Sequence, residues 1–452
     1  GNDTLSYAGS AGPVQIDLAG GRVLGGSGYD VVSGIENVIA SSFNDVIIGT
    51  AEANIINGGA GVDMVSYEAA TSAVSVNLMV GTVTGGAGAD RLIAIESAMG
   101  SVYDDTFIGS AAANRIDGSA GVDTVDYGLA TSAVAINIDT GVVTGGAGLD
   151  RLIGIENINA SSFDDTVVGN ALNNRIFGRD GLDKLYGAAG DDYLAGDAGN
   201  DMLYGGDGAD TLLGGLGDDK LYGDAGNDTL IGADGRDVIT GGLGDDKIYG
   251  DAGNDTISAG DGNDTVSGGL GDDTILGDAG NDSINGGMGY DTIRGGDGND
   301  SISGAEDYDT IYGGLGNDVI SGDDGNDTLY GEAGVDTLIG GKGTDIMTGG
   351  SESDIFKFLS TADVSLVQSD TITDFVSGVD KLDLSGMDAK SATLANDAFK
   401  LVSASSLTIY TAEGAVWVAG GVLYGSTDQD VAAEFSITMT GVLKLAPGDV
   451  IL

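Results

Sequence analysis

An all-β chain of stacked turns is what the sequence predicts, and three observations carry that prediction. Glycine contributes 83 of the 452 residues, far above ordinary usage. Residues 178–357 divide without a gap into twenty nonapeptides, such as Gly205-Gly206-Asp207-Gly208-Ala209-Asp210-Thr211-Leu212-Leu213. In every one the sixth position is aspartate and the eighth is apolar. A short fixed period marks architectures in which each unit buries its apolar face only against its neighbours, so the chain reads as a solenoid. Its length alone would have suggested about three ordinary domains.

The sixth-position residues are Asp183, Asp192, Asp201, Asp210, Asp219, Asp228, Asp237, Asp246, Asp255, Asp264, Asp273, Asp282, Asp291, Asp300, Asp309, Asp318, Asp327, Asp336, Asp345 and Asp354. A merely solvated acidic face would drift among Glu, Lys, Ser and Asn, and this column does not drift. The eighth positions, from Leu185 and Leu194 through Ile248 to Met347 and Phe356, supply one inward side chain per repeat. Glycine at positions one, two and four permits positive φ and close backbone approach. Positions one to six are therefore expected to turn, and seven to nine to form a short strand. Aspartate beside carbonyls that glycine leaves uncovered offers the hard oxygen ligands that Ca²⁺ takes at six to eight coordination. Mg²⁺, which demands an octahedron and keeps its waters, suits such a turn less well.

Charge and composition agree with a cation partner. The chain holds 71 acidic and 17 basic side chains, a net charge of −54, which opposes nucleic acid and anionic membrane as partners. With no cysteine and no histidine there are no disulfides, no thiolate or imidazole metal ligands, and no Ser-His-Asp or Cys-His nucleophile. No apolar run is long enough for a transmembrane segment. Gly1 already lies inside a repeat, so the sequence is expected to be a fragment or processed product.

The pattern G-G-x-G-x-D-x-U-x resembles the calcium-binding repeat of the RTX (repeats-in-toxin) family. The resemblance implies a right-handed parallel β-roll of two nonapeptides per coil, ten coils in all. It also implies many Ca²⁺ ions, each between the turns of repeats two apart, with the sixth-position aspartate joining backbone carbonyls. Asp307 and Glu352 replace the fourth-position glycine, and Ala188 and Ala259 replace others, so metal is less expected at those turns. Glu352 reads as the end of the roll.

Residues 1–177 carry a 60-residue period, seen in Gly1-Asn2-Asp3-Thr4-Leu5-Ser6-Tyr7, Gly61-Val62-Asp63-Met64-Val65-Ser66-Tyr67 and Gly121-Val122-Asp123-Thr124-Val125-Asp126-Tyr127. Each unit parses as nonapeptides with inserts, so three decorated versions of the same roll are expected. Asp30, Asp45, Asp63, Asp90, Asp105, Asp123, Asp150 and Asp165 fall at sixth positions and join the candidate metal ligands. Asn54, Asn114 and Asn174 replace the acid and should bind weakly or not at all. The alternation Val74, Val76, Leu78, echoed sixty residues to either side, reads as a half-buried strand. Ile35-Glu36-Asn37, Ile95-Glu96-Ser97 and Ile155-Glu156-Asn157 recur once per unit and read as corner-forming.

Residues 358–452 break the glycine period and are expected to form a β-rich capping domain. Asp370-Thr371-Ile372-Thr373-Asp374-Phe375 and Gly378-Val379-Asp380-Lys381-Leu382-Asp383-Leu384-Ser385 resemble the C-terminal domain of serralysin-type secreted metalloproteases. The terminal Asp449-Val450-Ile451-Leu452 is similar to the tail of proteins exported by type I (ABC) secretion. Together these resemblances imply an extracellular or cell-surface protein whose partners include that secretion apparatus, with cell-surface polysaccharide or copies of itself as further candidates.

Catalysis is weighed against structure at each acidic site. Paired carboxylates can hydrolyse glycosides, but here every sixth-position aspartate already has a structural assignment. Seventh-position threonines fit strand propensity as well as any outward ladder. Tyr186, Tyr204, Tyr222 and Tyr249, at ninth positions, could cover the sheet or form a carbohydrate platform. The expected function is thus a non-enzymatic calcium-binding module that folds after secretion, any catalytic domain lying upstream. The alternatives are a surface-layer or adhesin structural protein, and the non-catalytic C-terminal module of a secreted enzyme.

Overall fold

The computed structural model describes residues 1–26, 28–360, 363–387, 399–403, 414–428, 432–446 and 448–452. Among them there are strands and turns and no helix, hence none long and apolar enough to cross a membrane. The fold is a parallel β-solenoid of the β-roll kind. It divides into two compact units, Gly1–Leu216 and Gly217–Leu452.

In the first unit, strands recur nine residues apart along the chain, and those eighteen apart stack in parallel. Asn37–Ile39 pairs with Ile55–Asn57, and Val46–Ile48 pairs with Met64–Ser66. The inward residue of each strand, for example Val38, Ile47, Ile56 and Val65, is almost wholly buried. The alternation at Val74 and Val76 does form a strand, Val74–Asn77, but an antiparallel excursion follows that the nonapeptide parse did not foresee. Thr82–Gly85 runs antiparallel to Val74–Asn77 and to Asp90–Ile93. The outer strands of this meander rejoin the parallel stack, Asp90–Ile93 on Ile55–Asn57 and Val74–Asn77 on Thr106–Ile108.

The same meander occurs at Val14–Asp17, Arg22–Gly25, Gly28–Val31 and at Val134–Asn137, Val142–Gly145, Asp150–Ile153. Those two lie in one sheet and the middle one lies in the other. Sixty residues make an odd number of half-turns: Thr4–Ser6 and Thr124–Asp126 sit in one sheet, and their equivalent Met64–Ser66 sits in the opposite sheet. Successive excursions must therefore alternate faces.

In the second unit the strands are longer than expected. Lys220–Ala225, Thr229–Asp234, Val238–Leu243 and their successors to Ile346–Ser351 each span six residues, positions seven to nine plus one to three of the next repeat. The turn is compressed to positions four to six. The second position takes positive φ, as at Gly242 (120°), and kinks the strand without leaving the ladder, since Asp224 still pairs with Gly242 and Ala225 with Leu243. The coils nearly touch there: a Cβ on Gly242 would lie 2.1 Å from the Asp224 carbonyl oxygen. At fifth positions an amide ladder runs along the turns, the N–H groups of Asn281, Asn299 and Asn317 donating to the side-chain oxygens of Asn263, Asn281 and Asn299.

Glu352 does not end the stacking. Ile355–Lys357 pairs in parallel with Lys381–Asp383, which pairs with Val450–Ile451. Ile346–Ser351 pairs with Asp370–Ile372, which pairs with Phe435–Met439, the last strand of an antiparallel meander containing Trp417. Phe356, Phe358, Phe399 and Phe435 form the bulky core of this end. The chain terminus is thus the final rung of a sheet: the N–H groups of Leu382 and Leu384 donate to the carbonyls of Asp449 and Ile451 at 2.7 and 2.9 Å. The Asp449 carboxylate accepts from Gly378 and Ala446 N–H groups and from the Ser377 hydroxyl, which together hold it below the usual carboxylate range against its burial. Deleting Asp449–Leu452 should therefore speed hydrogen exchange at Leu382 and Leu384 at saturating calcium while leaving Ile311 protected. Unchanged exchange at both leucines would contradict this placement.

Candidate calcium-binding aspartate columns

The sixth-position aspartates are buried, with at most 3% exposure across Asp183 to Asp354. Each stands at the end of a compressed turn, and stacking sets the use of its first oxygen. The backbone N–H of Asp264 donates to Asp282 Oδ1 at 2.8 Å, and that of Asp192 to Asp210 Oδ1 at 2.7 Å. Each carboxylate thus caps the turn of the coil before it. Consecutive members of a column are one rung apart, about 4.8 Å.

The second oxygen has no such use. In Asp183, Asp192 and every ninth residue from Asp237 to Asp345, Oδ2 is buried and makes no hydrogen bond. It points at the first-position glycine of its own repeat: a Cβ on Gly187 would sit 2.2 Å from Asp192 Oδ2 and 2.6 Å from the Gly205 carbonyl oxygen. First-position glycine leaves this space open, the fully buried Ala259 being the exception in the regular roll, whereas second- and fourth-position glycines serve positive φ. The pocket so kept open is lined by a carboxylate oxygen and a carbonyl oxygen, a donor set suited to a hard cation. Among the described residues no three His, Cys, Asp or Glu side chains converge on a point, so backbone carbonyls and water must complete any coordination here.

The substituted repeats keep this arrangement. Asp192, Asp264 and Asp309, in the repeats carrying Ala188, Ala259 and Asp307, retain the unbonded Oδ2. Asp354, in the repeat carrying Glu352, is buried without that feature.

The decorated repeats separate into kinds. Asp63 and Asp123 resemble the regular column: Oδ1 accepts from the N–H of Asp45 or Asp105, and Oδ2 is unbonded. Their own N–H groups donate to Glu96 and Glu156, so the recurring glutamate caps a turn where the next column aspartate does so elsewhere. Asp45, Asp105 and Asp165 are already satisfied. Asp45 accepts from Val14 N–H and from both N–H and hydroxyl of Ser41, and Ser101 and Ser161 do the same for Asp105 and Asp165. Asp30, Asp90 and Asp150 accept from the hydroxyls of Tyr7, Tyr67 and Tyr127, twenty-three residues earlier. Burial and these carboxylates push Tyr7 up to about 12 and raise Tyr67 and Tyr127 further, so all three stay donors. The asparagines supply a hydrogen instead: Nδ2 of Asn54, Asn114 and Asn174 donates to the carbonyls of Glu36, Glu96 and Glu156.

Two pairs of ninth-position tyrosines stack on one another, whereas Tyr249 is exposed. Tyr186 and Tyr204 stack at 4.9 Å, and Tyr312 and Tyr330 at 4.8 Å with Arg294 over Tyr312.

The family described as RTX calcium-binding nonapeptide repeat (4 copies) matches residues 39–69 and 99–130 and, through overlapping or abutting matches, 159–356, more than half of the chain. Among solved structures, the AlgE6R3 subunit from the Azotobacter vinelandii mannuronan C5-epimerase is similar at 26% identity. That similarity covers 33% of this chain and 80% of that one, at a TM-score of 0.24. No curated protein matches the chain.

Burial, with neighbouring column carboxylates adding to it, pushes Asp183, Asp192, Asp282 and Asp336 up to about 7 and Asp237 and Asp318 to about 6. These groups bind a proton more tightly folded than unfolded, where a carboxylate titrates near about 4. The stability tied to that proton is complete below about pH 4 and is lost as pH rises through 6 to 7. The calcium-free chain should accordingly show more β-structure by circular dichroism at pH 5 than at pH 8, with monomers verified by sedimentation. An equal or stronger β signal at pH 8 would refute the buried-carboxylate account.

Proposed function

Because the chain belongs to the RTX calcium-binding nonapeptide-repeat family, we propose that it is a secreted, non-catalytic module that folds on calcium, with a structural or carrier role. The observation that carries this reading is the column of buried, unbonded Oδ2 atoms. An ionised carboxylate oxygen without a partner is among the costliest groups to bury, and these columns repeat that cost at nearly every turn. The net charge of −54 and the single inward side chain per repeat leave little to offset it. Calcium, when bound, supplies the opposing charge and accepts oxygen ligands from the turns.

On this reading the metal ligands are the regular-column aspartates from Asp183 to Asp345, with Asp63 and Asp123. The carboxylates of Asp45, Asp105 and Asp165, and of Asp30, Asp90 and Asp150, serve the fold through serine and tyrosine partners. Residues 1–177 form the decorated roll, 178–357 the regular roll and 358–452 the serralysin-like cap. In low calcium the glycine-rich polyanion stays unfolded and threads a type I exporter. Outside the cell, calcium modules operate at about 10⁻⁴–10⁻³ M and the roll closes.

Circular dichroism through an EGTA titration tests the calcium dependence: β signal should vanish at nanomolar free calcium and return on re-addition. A signal that persists there sinks the reading. Secretion is tested separately, since removing Asp449–Leu452 should lower the yield exported through an ABC exporter. Undiminished export would remove the terminal residues from the signal.

A further inference from the structure

The aspartate columns do not stop where the nine-residue period stops. Asp370 lies 25 residues after Asp345, outside the nonapeptide spacing and beyond the family match that ends at residue 356. Yet it occupies the next column position: the Asp345 N–H donates to Asp370 Oδ1 at 2.9 Å, as the Asp327 N–H does to Asp345 Oδ1. The strand Asp370–Ile372 stacks directly on Ile346–Ser351.

Both carboxylates of this pair are fully buried, at 0% exposure, and the Oδ2 atom of each is without a hydrogen bond. The two side chains also approach each other within hydrogen-bonding reach, although both are acceptors when ionised. Among the described residues no cationic side chain pairs with either carboxylate. Lys342, nearby, is engaged with Asp324 at 2.7 Å, and the adjacent Asp363, which accepts the N–H groups of Leu359 and Ser360, adds negative charge. Two apposed, buried carboxylates must share a proton or bind a cation between them.

We infer that Asp345 and Asp370 form a divalent-cation site outside the nonapeptide pattern, one that joins the regular roll to the C-terminal sheet. Asp370–Ile372 is held on one side by the last six-residue strand and on the other by Phe435–Met439, so an ion at this pair links the roll to the antiparallel meander. Docking of that meander thereby becomes calcium-dependent. The inference rests on the proposed calcium reading, and its test separates the two.

The full chain, saturated with calcium, is examined by native mass spectrometry as wild type, Asp370→Asn and Asp370→Ser, with circular dichroism to confirm folding. Asparagine can keep the Oδ1 contact and offer a hydrogen to Asp345, as Asn54 and Asn114 offer theirs to carbonyls. One ion fewer in a folded variant supports the site, and the full complement in a folded variant overturns it. Crystals of the wild-type chain grown in calcium need no variant. Anomalous density between Asp345 and Asp370 supports the site; a blank there with the regular columns filled overturns it alone. Absence of calcium throughout the wild type overturns the proposed function with it.

Discussion

Everything in this chain answers to one constraint, the burial of a carboxylate once per turn. A strand seven to nine residues into each repeat can stack only if the preceding turn closes tightly, and the sixth-position aspartate closes it by accepting the N–H of its predecessor in the coil. The same contact draws the carboxylate out of water and leaves Oδ2 against a first-position glycine. Stacking and charge burial are thus inseparable. A protein built this way is stable only where something compensates the second oxygen, be it a proton, a polar partner or a cation.

The decorated repeats show how the chain compensates that oxygen by other means. Ser41, Ser101 and Ser161 place a hydroxyl and an N–H on the carboxylate four residues ahead. Tyr7, Tyr67 and Tyr127 reach theirs from another strand. Asn54, Asn114 and Asn174 exchange the carboxylate for an amide and present a hydrogen to a carbonyl. These three arrangements occur in the 60-residue units. At the second position, where those serines stand, the regular roll has no serine but glycine, alanine, aspartate, glutamate or arginine, and Oδ2 of Asp183, Asp192 and every ninth residue from Asp237 to Asp345 stays unbonded. The unbonded Oδ2 atoms are accordingly concentrated in the nonapeptide region, with Asp63 and Asp123 as outposts.

Periodicity also decides shape. Nine residues make half a coil, so eighteen return the chain to the same sheet and the regular roll can stack coil on coil. Sixty residues with a three-stranded meander amount to an odd number of half-turns, and each excursion falls on the face opposite the last. The C-terminal region continues the two sheets with strands of quite different sequence. Its loops lengthen the spacing from 18 to 25 residues between Asp345 and Asp370 while conserving the rung itself.

The sequence by itself determined the repeat unit, the inward side chain at the eighth position, the aspartate column and its demand for a hard cation. All of these are properties of a local period, and a period is visible in one dimension. It misjudged the strand length, because positions one to three join the ladder only through coil-to-coil contact at the kinked second glycine. It treated all sixth-position aspartates alike, because the serine, tyrosine and glutamate that distinguish them act across 4 to 33 residues. Only the tertiary structure decided which carboxylates remain unbonded, which face each meander takes, and that Asp370 and the terminal Val450–Ile451 are rungs of the same stack. The reason is physical: a hydrogen-bond partner supplied by the neighbouring coil is set by the stacking, and the stacking exists only once the chain has closed on itself.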